Sequence, residues 1–205
     1  MGQRDRKQKL KNKMEKVELN KTMHLSEHFT LGEVTKTCVK TADGNIPSHV
    51  AIENLKNLCE NWLEDLRYSY NTLYPTCHRE GTPVMSSAPS VMSSVVETSH
   101  EISPRATLGR DDNPIIISSG YRSPEVNKAV GGAPTSNHLT GCAVDIRCEG
   151  FEQALRYANI LLDIADGTKQ DYDELFIERN KQGRYWIHFA VRPKDNRRKT
   201  AFIQT

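Results

Sequence analysis

The chain has 205 residues, 37% of them hydrophobic and 26% charged, with a formal net charge of +2. That composition suits one water-soluble domain with extensions, or two small ones. So small a net charge gives no argument for a nucleic-acid partner, and no apolar run is long enough to span a membrane.

Residues 1–22 carry Arg4, Arg6, Lys7, Lys9, Lys11, Lys13, Lys16 and Lys21 against Asp5, Glu15 and Glu18. This segment is expected to be a solvated, disordered basic tail rather than an arm for an anionic surface. No aromatic residues interleave with its charges as a base-stacking surface would need. No apolar stretch follows the basic residues as in a signal peptide, so the chain is expected to be cytoplasmic as synthesised. The five cysteines (Cys38, Cys59, Cys77, Cys142, Cys148) are scattered and odd in number, which fits a reducing compartment. Cys77-His78 has no partner at metal-site spacing.

From residue 23 the pattern becomes that of a folded domain. Thr30 with Glu33 makes a capping box and predicts a short helix. Ser48 is the expected N-cap of the clearest helix, with Ile52, Leu55, Cys59, Trp62, Leu66 and Tyr70 at three-four spacing. Residues 75–113 are rich in Ser, Pro and Thr, repeat Val-Met-Ser-Ser at 84–87 and 91–94, and are expected to be a disordered insert; a lid or partner loop is the other reading. Ile115, Ile116 and Ile117 predict a short buried strand. Ser123-Pro124 opens a helix that Gly131-Gly132 closes. A strand over Cys142–Ile146, a helix over 151–166, and a hairpin of "DELFIE" and "YWIHFAV" complete the domain at residue 192. Residues 193–205 are expected to be a basic C-terminal extension. The layout predicts an α+β fold with a small, mainly antiparallel sheet flanked by helices.

Asp145 interrupts an otherwise apolar strand, and a buried carboxylate is costly without a partner. Alternation puts Asp145 opposite in face to Val144 and Ile146, and puts His188 opposite to Ile187 and Phe189. His138 lies seven residues before Asp145, with Gly141 permitting a tight turn or a close backbone approach. Two imidazoles and a carboxylate are a ligand set of catalytic zinc; a metal-free Asp–His hydrogen bond satisfies the same spacing.

The stretch "SSGYRSPEVNKAVGGAPTSNHLTGCAVDI", with "WIHFAV" downstream, closely resembles the D-Ala-D-Ala carboxypeptidase-like zinc peptidases, which include murein endopeptidases, D-Ala-D-Ala dipeptidases and phage endolysins. Their Ser-x-His-x-x-Gly-x-Ala-x-Asp pattern is met by Ser136, His138, Gly141, Ala143 and Asp145, and their Trp-x-His by Trp186 and His188. The resemblance covers about residues 25–72 and 114–192. It implies a hedgehog-like fold, Zn2+ bound by His138, Asp145 and His188, and a substrate contact from Arg122. Tyr121 and Ser136 are expected to line or shape the substrate pocket. Peptide hydrolysis also needs a carboxylate to take a proton from the attacking water and return it to the leaving amine. Many relatives carry that acid three residues before the last His, where this chain has Tyr185, a poor base at neutral pH. Glu178, which ends a strand resembling the Asp-Gln-Leu-Ile-x-Glu of one subgroup, is the best substitute; Asp173 and Glu174 are weaker ones.

The expected function is therefore a monomeric zinc peptidase acting on peptidoglycan stem peptides, of D-Ala-D-Ala carboxypeptidase or L-Ala-D-Glu endopeptidase type. It would be phage or prophage derived and would reach the wall after release or delivery. The alternative is a zinc-binding module with impaired catalysis that binds peptidoglycan or serves a structural role.

Overall fold

The structure is a computed structural model that describes residues 20–75 and 113–204. The basic tail up to residue 19, and most of the Ser/Pro-rich segment with Cys77-His78, lie outside the described residues.

Helix α1 (Leu31–Val34) begins on the expected capping box: Thr30 Oγ1 accepts from the Glu33 N–H, and the Glu33 carboxylate accepts from the Thr30 N–H at 2.8 Å. Helix α2 (His49–Leu58) starts on Ser48, whose hydroxyl accepts from the Ala51 N–H. It continues through a π turn (Cys59–Leu63) into α3 (Glu64–Leu73). The expected helix is thus present, with a wide turn inside it that buries Cys59, Trp62 and Leu63 completely. Strand β1 (Ile117–Ser119), α4 (Pro124–Ala129), a 3-10 turn (Asn137–Thr140), β2 (Ala143–Cys148), α5 (Phe151–Thr168), β3 (Glu174–Arg179), β4 (Tyr185–Ala190) and β5 (Lys199–Gln204) follow.

The five strands form one sheet in the order β1-β2-β4-β3-β5. Every neighbouring pair is antiparallel except β3 with β5. This is the α+β layout expected, with two differences of detail. Strand β1 starts at Ile117 rather than Ile115: Ile115 and Ile117 are buried, but pairing with β2 begins only at Ile117↔Ile146. And the C-terminal extension holds β5, which its charges and Pro193 conceal.

Directly opposed residues on neighbouring strands share a face of the sheet. One face is apolar: Val144, Ile146, Leu175, Ile187 and Phe189 are all fully buried. Helix α5 packs on β2, β3 and β4, and the Trp62 ring lies 5.0 Å from Phe189. Burying side chains of this size is worth about 1.5–3 kcal/mol each. The other face carries two polar rungs. Asp145, His188 and Phe176 form one; Arg147, Trp186 and Glu178 form the next.

Gly141 joins the 3-10 turn to β2 at φ +71°, and an added Cβ would sit 2.3 Å from the Ala51 carbonyl oxygen in α2. Both expected reasons for glycine, a tight turn and a close approach, operate there. Gly141→Ala is expected to cost more than about 2 kcal/mol, since the left-handed conformation alone costs roughly 1–2. Its thermal midpoint should fall by about 2–4 °C for each kcal/mol lost.

Candidate metal centre and active site

His138 sits on the 3-10 turn, which Ser136 caps by accepting the His138 N–H at 3.3 Å. Asp145 lies in the middle of β2, and His188 lies directly across from it on β4. His138 Nε2 is 3.2 Å and His188 Nδ1 is 2.9 Å from Asp145 Oδ1. The ligand atoms of all three lie within 4.8 Å of one another, and among the described residues they form a cluster able to hold a metal ion. All three are buried.

Each imidazole is oriented from behind. His138 Nδ1 is 2.6 Å from the Gly120 carbonyl oxygen. A carbonyl only accepts, so Nδ1 carries the proton and Nε2 is left bare. Gly120 reaches this position because it lies against α1: a Cβ there would be 2.2 Å from the Val34 oxygen. His188 Nε2 faces Glu174 Oε2 at 3.4 Å, which leaves Nδ1 turned to Asp145. Two ring nitrogens and one carboxylate oxygen therefore converge, each His backed by an acceptor. The donor set fits zinc.

The charges agree. Burial pushes the Asp145 carboxyl upward, but His138 and His188 outweigh it and hold the group well below the usual carboxylate range. Burial lowers His188, while hydrogen bonds to Asp145 and Glu174 raise it to about 9. A dication placed between them would replace that proton as the partner of the carboxylate.

Arg122 does not pair with Glu125, whose carboxylate instead accepts from the Ala42 N–H at 3.2 Å. Its Nε donates to Ser119 Oγ at 2.8 Å, and its Nη2 pairs with Asp145 Oδ2. Arg122 and Tyr121 also line a pocket of about 300 Å³ with Val39, Val126 and Val130. Arg122 thus braces Asp145 and lines a pocket at once. Ser136 acts here as the cap of the 3-10 turn.

Tyr185 lies on the opposite face from His188, with its ring 5.5 Å from Phe151. Glu178 lies on the site face, opposite Trp186 and one rung from His188. Burial raises its pKa, against the lowering effect of His188 and a hydrogen bond from the Trp186 side chain. Of the carboxylates on this face, Glu178 is the one held in the direction a general base and acid requires.

Residues 75–165 match the family model described as Peptidase M15. Over that stretch the chain is similar to the Peptidase M15 family. No curated protein matches it. The matched stretch contains His138 and Asp145, and the β2–β4–β3 register carries the site on to His188 and Glu178 beyond it.

Support for the site extends into residues that the motifs do not include. Asn137 Nδ2 donates to Asp173 Oδ2 at 2.8 Å and to Glu174 Oε2 at 3.0 Å. Arg197, from the C-terminal extension, reaches Asp173 Oδ2 and Glu174 Oε1 at 2.7 Å each. Glu174, weighed above as an acid, is an orienting partner of His188. Glu174→Ala is expected to weaken zinc binding by about 10–100-fold, the usual cost of losing such a partner, as read by competition with a chromophoric chelator.

Asp173 is fully buried. Burial raises its pKa, but hydrogen bonds from Arg197 and Asn137 and the charge of Arg192 outweigh that and lower it to about 2. A carboxyl depressed by folding stabilises the native state above its unfolded value of 3.8 and loses that contribution as pH falls through about 2. Asp173→Asn should therefore be less stable than the parent at pH 7. The gap should close as urea unfolding is repeated from pH 4 down to pH 2.

Proposed function

We propose that this protein is a zinc enzyme that hydrolyses peptide bonds in peptidoglycan stem peptides, at a D-Ala-D-Ala or an L-Ala-D-Glu bond. One observation carries the catalytic reading: His138 Nε2 and His188 Nδ1 converge on Asp145 with Glu178 one rung away on the same face. The substrate class rests on the resemblance of Ser136–Asp145 and Trp186–His188 to wall peptidases.

His138, Asp145 and His188 would hold the zinc, which supplies Lewis acidity that polarises the scissile carbonyl and eases deprotonation of water. Glu178 takes the proton from the attacking water and delivers it to the leaving amine. Burial keeps that carboxylate from being too weak a base for the task. Arg122 offers the remainder of its guanidinium to a substrate carboxylate or carbonyl in the pocket it shares with Tyr121. The chain works as a monomer, made in the cytoplasm of a cell and brought to the wall by release or delivery.

Incubation of the purified protein with muropeptides, with and without added zinc, tests this by mass spectrometry. New fragments that disappear with a chelator are expected, and their masses name the bond. A folded, zinc-loaded protein that cuts nothing would overturn the reading in favour of a binding module.

A further inference from the structure

A second recess, of about 460 Å³, lies beside the metal cluster and is lined by Ser118, Arg147, Glu149, Asn180, Arg184 and Trp186 among others. Arg122, Arg192 and Arg197 are all tied to carboxylates. Arg147 and Arg184 are exposed, and neither guanidinium has an ion-pair partner among the described residues. They enter the recess from two elements, β2 and the turn between β3 and β4. Glu149 is the single carboxylate in the lining, so the recess has a net positive charge.

Its position relates it to the reaction. Arg147 and Trp186 belong to the same rung as Glu178, and Trp186 hydrogen-bonds Glu178. The metal cluster lies one rung away, about 7 Å along the strands. An extended peptide covers that distance in about two residues. A guanidinium binds a carboxylate through paired N–H donors, and two unpaired guanidiniums in one recess favour an anionic group over an amide.

We propose that this recess is a specificity subsite that binds a peptide carboxylate within about two residues of the scissile bond. The inference rests on the peptidase reading above and adds to it the acidic character of the substrate.

The test uses three synthetic peptides: L-Ala-γ-D-Glu-L-Lys-D-Ala-D-Ala, the same peptide amidated at the D-Glu carboxylate, and the same peptide amidated at its C-terminus. The parent should prefer the unmodified peptide over one of the two amides by about ten-fold or more in kcat/KM, the worth of a charge-assisted hydrogen bond. Which amide fails tells a side carboxylate from a terminal one. In the Arg147→Ala/Arg184→Ala variant the preference should vanish through a higher KM, with kcat and zinc content unchanged. Equal rates on all three peptides by the parent, or a preference that survives in the variant, would overturn the proposal. If the parent cleaves none of them, the peptidase reading falls, and calorimetric titration of the same peptides into the zinc-loaded protein decides the subsite separately. Discrimination of carboxylate from amide that depends on Arg147 and Arg184 would uphold it; equal Kd values would overturn it.

Discussion

Replacing Glu178 by glutamine is expected to lower kcat by about 10²–10⁴-fold while zinc content and thermal midpoint stay at the parent's values. Glutamine preserves the size of the side chain and an oxygen to accept from Trp186, so the substitution removes the proton-carrying function and little else. The pH profile gives a second readout. A base must be ionised to act, and burial raises Glu178 above its ordinary 4.5, so the acidic limb of kcat/KM should lie above that value. A loss smaller than ten-fold would remove Glu178 from the mechanism. Tyr185 could not take its place, because its ring lies on the other side of the sheet against Phe151.

Asp145→Asn should give the complementary result: a protein that has lost its metal and therefore its activity. Among the described residues the carboxylate is the only anion that both imidazoles and Arg122 address directly. Its neutral counterpart removes a ligand charge, so zinc affinity should fall by more than the roughly 10–100-fold cost of an outer partner. Atomic absorption after dialysis against a weak chelator measures this. A variant that keeps one zinc per chain would rule out Asp145 as a ligand. Set side by side, zinc lost in Asp145→Asn and zinc kept in Glu178→Gln separate the holding of the metal from the handling of the proton.

What the sequence made legible was local or periodic. The caps at Thr30, Ser48 and Ser123 were readable because each needs only three or four consecutive residues. Asp145 and His188 could each be placed opposite the apolar face of its strand because alternation in strands is strict, and the register between β2 and β4 then brought them together. The π turn at Cys59–Leu63 left no trace, since it is a shift of backbone hydrogen bonds with no residue signature of its own. Gly120 was read only as part of a motif, because what it contributes is a carbonyl oxygen. Asn137 and Arg197 were missed for another reason. Their partners lie 36 and 24 residues away in the chain, and only the folded sheet brings those separations together. Strand β5 escaped because it pairs in parallel with β3 and takes its register from that neighbour rather than from a turn.

Strand β5 and the residues leading into it alter where the working unit of this protein stops. A chain cut after Val191 would contain His138, Asp145, His188 and Glu178, and every motif residue by which the site is recognised. It would lack Arg192 and Arg197, and leave buried Asp173 without either guanidinium. It would also strip β3 of its outer neighbour and leave a row of unsatisfied backbone groups along that edge. A truncation drawn at the last recognisable motif would keep the motif residues on paper and remove the frame that holds them, so a minimal version of this domain must extend through Gln204.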